Sequence, residues 1–94
     1  MPYRLLYHSA VVREDIARLG ESVRARIALV IQDRLTTEPE RHSEPLRGTL
    51  KGYWRLRVGD YRVVFRIVEQ EVWILGIVHR REVYSRAERR LAPS

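Results

Sequence analysis

Apolar positions along this chain change period several times, and the changes mark its elements. Pro2 to His8, with Tyr-Arg-Leu-Leu-Tyr inside it, has strand character. Val12, Ile16 and Leu19 then recur at helical spacing, with Ser9 placed to cap the start and Gly20 to close the end. Ser22 opens a second helix in which Val23, Ile27, Val30, Ile31 and Leu35 form one stripe, while Arg24, Arg26, Gln32 and Asp33 fall away from it. Thr36 to Pro45 is polar, contains two prolines and reads as a loop. From Tyr53 the period drops to two, on both sides of Gly59-Asp60, which is the pattern of a hairpin with a two-residue turn. Glu71 to Val78 is nearly continuously apolar and predicts a buried central strand, with Gln70 and its neighbouring glutamates turning into it. Ser85 is placed to cap a short basic helix through Leu91.

The Gly59-Asp60 turn sets the hairpin register. Val58 falls opposite Tyr61, and Trp54, Leu56, Val58, Tyr61, Val63, Phe65 and Ile67 share one face. Tyr53, Arg55, Arg57, Arg62, Val64 and Arg66 share the other, with Arg57 directly opposite Arg62. Like charges so placed cost about 0.2–1 kcal/mol. The fold gains nothing from that arrangement, whereas a surface that binds anions does. The predicted architecture is α+β: a two-helix hairpin packed on a small, mainly antiparallel four-stranded sheet, with a short C-terminal helix.

Composition narrows the classes. The 94 residues suit one small domain, and 45% hydrophobic content suffices for a core. With no cysteine, disulfides and thiolate metal sites are excluded, which suits a reducing cytoplasm. No apolar run approaches the roughly 18 residues of a membrane span, and no signal-peptide pattern opens the chain. The net charge of +6 resides in the second half: residues 1–44 carry seven basic and seven acidic side chains, residues 45–94 eleven and five. Of the 18 basic residues only Lys51 is lysine, a bias toward the side chain that grips phosphate in a bidentate fork and stacks on bases. An arginine-rich genome is the bland alternative.

Candidate chemistry follows the charge. Arg55, Arg57, Arg62 and Arg66, flanked by Arg47 and Lys51, can neutralise several phosphates, and Tyr53 offers a stacking ring. Four neutralised phosphates would give a log–log salt slope near about −3 on single strands. A solvated face with no ligand is the alternative, but Asp60, in the turn, is the sole acid between 46 and 66. The run His79-Arg80-Arg81-Glu82-Val83-Tyr84 leaves the central strand and can project near the hairpin arginines. Arginine cannot act as a base, but it stabilises a pentacoordinate phosphorane and donates to a departing oxygen. Tyr84 either joins that chemistry or packs its ring on the core, and His79 is either a general acid or an ordinary strand-end histidine. His8, His42 and His79 share no ligand spacing, so neither a metal nor another cofactor is expected.

Leu46-Arg47-Gly48, the stretch from Gly52 to Phe65, and Ile77-Val78-His79-Arg80-Arg81-Glu82-Val83-Tyr84 closely resemble the RelE/ParE superfamily of bacterial and archaeal toxins. The resemblance implies a microbial ribonuclease-like fold and a cognate antitoxin as partner. That antitoxin would supply an acidic or amphipathic segment, acting by covering the arginines or by displacing the C-terminal helix. The RelE branch of the family cleaves mRNA in the ribosomal A site by 2′-hydroxyl attack on the adjacent phosphate; the ParE branch poisons DNA gyrase. The RelE-like, ribosome-dependent endoribonuclease is the expected function, with the gyrase poison as the alternative. By the resemblance, Arg62 binds phosphate, Arg80 lies near the leaving oxygen, Tyr84 stacks on or orients the nucleotide, and Arg55 joins them as catalytic. Tyr53, Arg57, Arg47, Lys51, Arg66, Arg81 and His79 are then the RNA-binding set. Where the best-known RelE toxins carry lysines, one a candidate general base, this chain has Tyr53 and Arg55, so the base role falls to Tyr84 or His79.

Overall fold

A computed structural model describes residues 2–92. Strand β1 (Arg4–Tyr7) leads into helix α1, a π turn over Val11–Asp15 followed by Ile16–Arg18. Helix α2 (Glu21–Val30) ends in a second π turn, Ile31–Leu35. Then come β2 (Ser43–Pro45), a 3₁₀ turn at Gly48–Leu50, β3 (Tyr53–Val58), β4 (Tyr61–Val68) and β5 (Glu71–His79). A second 3₁₀ turn, Arg80–Glu82, opens into α3 (Val83–Leu91). The fold is α+β as predicted, and the sheet has five strands in the order β1-β5-β4-β3-β2 rather than four. Among the described residues only the β1–β5 pair is parallel.

The extra strand is β2, cut from the segment read as a loop. Three residues ending in proline carry no alternation to reveal them, and proline is tolerated there because β2 is an edge. It aligns Glu44 with Arg55. The hairpin has the predicted register, Val58 opposite Tyr61 and Arg57 opposite Arg62. Positive φ (60°) falls on Gly59, as a turn with glycine at its first central position requires.

Helix ends differ from expectation in instructive ways. The first helix is capped by His8, whose Nδ1 accepts the Ala10 N–H at 3.0 Å, and not by Ser9. Gly20 has φ −65° and ψ 158°, so it starts α2 instead of closing α1, and Ser22 lies inside the first turn of α2. In α1 the buried face is Val11, Asp15 and Leu19, with Val12 exposed; the π turn shifts the phase of the stripe by one position. Ser85 lies inside α3, donating to the Glu82 carbonyl at 3.3 Å.

Both faces of the sheet are covered. On one, Val11, Leu19, Ile27, Ile31 and Leu35 of the helical hairpin pack on Leu56, Val63, Phe65, Val72, Ile74 and Ile77. On the other, Val83 and Ala87 of α3, with Leu46 and Leu50, pack on Val64, Leu75 and Val78. The face expected to be an open field of arginines is thus a second, smaller core. Its arginines are confined to the margins.

Candidate functional site

The hairpin turn and the end of β5 build the basic margin together. The Arg80 N–H donates to the Asp60 carbonyl at 2.9 Å, pinning the start of the Arg80–Glu82 turn against the β3–β4 turn. Arg57 and Arg62 stand opposite one another beside it, and Arg55 is two residues back on β3. Arg62 folds onto its own turn: its Nη1 donates to the carbonyls of Gly59 (3.0 Å) and Tyr61 (2.9 Å). Burial first, then the charges of Arg57, Arg55 and Arg80, push the Arg62 guanidinium below its usual pKa. Four guanidinium groups therefore share one field. Glu44 lies 3.8 Å from Arg55 and offsets part of it, while none of the ion pairs among the described residues engages Arg57, Arg62 or Arg80.

Concentrated positive charge without acidic partners is unfavourable to the fold and favourable to a polyanion. Replacing Arg57 by threonine is expected to leave stability unchanged or raise it by about 0.2–0.5 kcal/mol, because it removes the charge opposite Arg62. Urea denaturation checks this; a clear loss would reveal a stabilising partner for Arg57.

Tyr84, in the first turn of α3, follows Arg80 by four residues. Its ring is partly exposed, and its hydroxyl oxygen accepts the backbone N–H of Arg47 at 3.1 Å. Tyr84 thus holds the segment before Gly48–Leu50 against α3 and leaves ring surface open. Arg47 and Arg81 are exposed beside it.

Other predicted site residues lie elsewhere. His79 is on the helical-hairpin face, edge-on to Tyr61 (ring centroids 6.0 Å apart), and its Nδ1 accepts the Arg81 N–H at 3.3 Å. It caps the 3₁₀ turn on the far side of the sheet from the arginines. Arg66 pairs with Tyr53 at the other end of the hairpin, its guanidinium 6.0 Å from the ring centroid. It lies four positions along β4 from Arg62, about 13 Å. Tyr53 and Arg66 border a groove of about 380 Å³ with Trp73, Val68 and Leu91, and Lys51 is exposed just ahead of β3. The structure gathers Arg55, Arg57, Arg62 and Arg80, and it joins Tyr84 to the backbone of Arg47 at the start of α3. It does not bring His79, Arg66, Tyr53 or Lys51 into that group.

Sequence reasoning missed Glu44, whose role depends on the unrecognised β2. Among the described residues, no group of three or more histidine, cysteine, aspartate or glutamate side chains is placed to hold a metal ion. No helix there is long and apolar enough to cross a membrane.

Residues 5–84 match the family model described as the ParE toxin of type II toxin–antitoxin systems. Toxin RelG of Mycobacterium tuberculosis is 33% identical over 88 residues, covering 92% of this chain and 100% of that protein. Toxin RelE of the same organism is 34% identical over 85 residues, covering 88% of this chain and 87% of its own. The crystal structure of the RelBE2 toxin–antitoxin complex from M. tuberculosis superposes with a TM-score of 0.79 at 32% identity, covering 85% of this chain and 93% of that one. The chain belongs to the RelE/ParE superfamily of toxins of type II toxin–antitoxin systems, on its RelE-like branch.

Proposed function

We propose that this chain is a ribosome-dependent endoribonuclease that cuts mRNA in the A site and is neutralised in the cytoplasm by a cognate antitoxin. The observation that carries this reading is the meeting of Arg57, Arg62 and Arg80 without acidic partners, with the exposed ring of Tyr84 four residues beyond Arg80. The RNA 2′-hydroxyl forms the new bond to phosphorus as its proton leaves. The 5′-oxygen departs and takes up a proton, leaving a cyclic phosphate. Charge on the non-bridging oxygens grows in between, and fixed guanidinium donors stabilise that change most. Arg57 and Arg62 hold the scissile phosphate, Arg80 donates toward the departing oxygen, and Tyr84 stacks on or orients the nucleotide. With His79 on the other face, the proton-exchange role falls to Tyr84 rather than to His79. Two relatives sharing about a third of their residues are both named Rel toxins, which favours this reading over the gyrase poison. Mapping RNA 5′ ends after induction in cells tests it: cuts within translated codons are expected, and intact RNA accompanied by DNA damage would put the gyrase poison in its place.

The Glu44–Arg55 pair revises the salt dependence. Three arginines without acidic partners imply a log–log slope near about −2 on single-stranded RNA, shallower than four would give. Glu44→Gln releases Arg55 and should steepen the slope toward about −3. Fluorescence anisotropy across a salt series measures both. Identical slopes would place Arg55 outside the RNA path.

Tyr84→Phe separates stacking from proton transfer. The ring remains, and the Arg47 N–H loses its acceptor. A fall in single-turnover rate of only several-fold is expected for an orienting ring, against roughly 10²-fold for loss of a proton carrier.

A further inference from the structure

The outer edge of β5 is only half protected. β1 pairs with it as far as Tyr7 opposite Ile74, and the His8 N–H closes that ladder on the Ile74 carbonyl at 2.9 Å. Beyond this point β5 bulges, with Phe65 opposite Ile74 but Val64 opposite Gly76. Two side chains replace the missing strand. Asp15 Oδ2 accepts the Ile77 N–H at 2.8 Å, and Arg90 Nη1 donates to the Leu75 carbonyl at 2.9 Å. The two side chains grip each other through a two-pronged bridge, Nη1 to Oδ2 and Nη2 to Oδ1, both 2.6 Å. They are 2% and 10% exposed. Gly76 leaves the room: a Cβ there would lie 3.2 Å from Arg90 Nη1.

Asp15 is on α1, which packs on one face of the sheet; Arg90 is in the last turn of α3, which packs on the other. The bridge therefore passes round the sheet edge and ties the outer layers together. α3 has nine residues, too few to be stable as an isolated helix, and it buries only Val83 and Ala87. Its first turn carries Tyr84, and a hydrogen bond from Thr49 to Glu88 steadies its middle.

We propose that Asp15 and Arg90 are positioning residues of the toxin site: anchored on β5, they set the seating of α3 and thereby hold Tyr84 beside the arginine cluster. Neither touches substrate. This rests on the endoribonuclease reading for its effect on rate, and on the protein alone for its effect on Tyr84. The reporter within the protein is the Arg47 amide, which donates to the Tyr84 hydroxyl. In Asp15→Asn, amide exchange at Arg47 and across residues 83–91 is expected to quicken at least tenfold more than at Val63 and Phe65 of the main core. Single-turnover cleavage should fall at least tenfold, with ribosome affinity within threefold of the parent. Should Asp15→Asn fail to fold, Gly76→Ala serves: it keeps both charges and presses a methyl group on Arg90. Exchange at Arg47 that matches the parent overturns the proposal, as does uniform quickening at every amide. Unchanged cleavage by a variant that loses Arg47 protection also overturns it. A parent protein that cuts no RNA sinks the functional reading, while the Arg47 amide still decides whether the bridge seats Tyr84.

Discussion

Arg80→Ala is expected to lower single-turnover mRNA cleavage by about two to three orders of magnitude, as for the loss of one donor to a developing oxyanion. Ribosome binding should stay within a few fold. Arg80 engages none of the ion pairs among the described residues, so its guanidinium is available to substrate. What fixes Arg80 is its backbone N–H on the Asp60 carbonyl, which alanine keeps. The deletion therefore removes a donor without moving the turn, and the loss should fall on rate more than on affinity. Quench-flow cleavage on programmed ribosomes, beside a binding assay, separates the two. Equal losses in both would make Arg80 a binding residue only.

The second large effect is on stability. Arg90→Ala leaves the Asp15 carboxylate, 2% exposed, without its counter-charge, and is expected to cost about 3–5 kcal/mol. Truncation from Ser85 onward should cost at least as much, since it also removes Ala87 and uncovers Val64, Leu75 and Val78. From sequence, α3 reads as a short basic helix whose displacement offers an antitoxin one route to silencing without unfolding the core. In the structure any such displacement must break the bridge with Asp15. Urea unfolding with the slope held constant measures both variants. A truncated chain as stable as the parent would mean that α3 contributes nothing to the second core.

The motifs that identify the family were legible because they are local. Period-two alternation around Gly59-Asp60 specifies the hairpin and its register without help from the rest of the chain, since side chains alternate strictly along a strand. The stripe of α2, from Val23 to Leu35, was legible for the same reason at the helical period. Two features of the sequence bear on the second core. Val64 interrupts the arginines, and β5 is apolar at consecutive positions, so both faces of the sheet needed cover.

By itself, then, the sequence determined the helical hairpin, the β3–β4 register, the central β5 and the clustering of charge in the second half. Tertiary structure alone decided which charges remain without partners. Arg55 meets Glu44 only because β2 pairs with β3, and Asp15 meets Arg90 only because α1 and α3 reach the same edge of β5 from opposite faces. His79 and Arg80 are neighbours in sequence and part company because the strand ends between them. Backbone periodicity is written in neighbouring residues, whereas a polar side chain's burial and partner depend on segments up to 75 positions away, which no local pattern records.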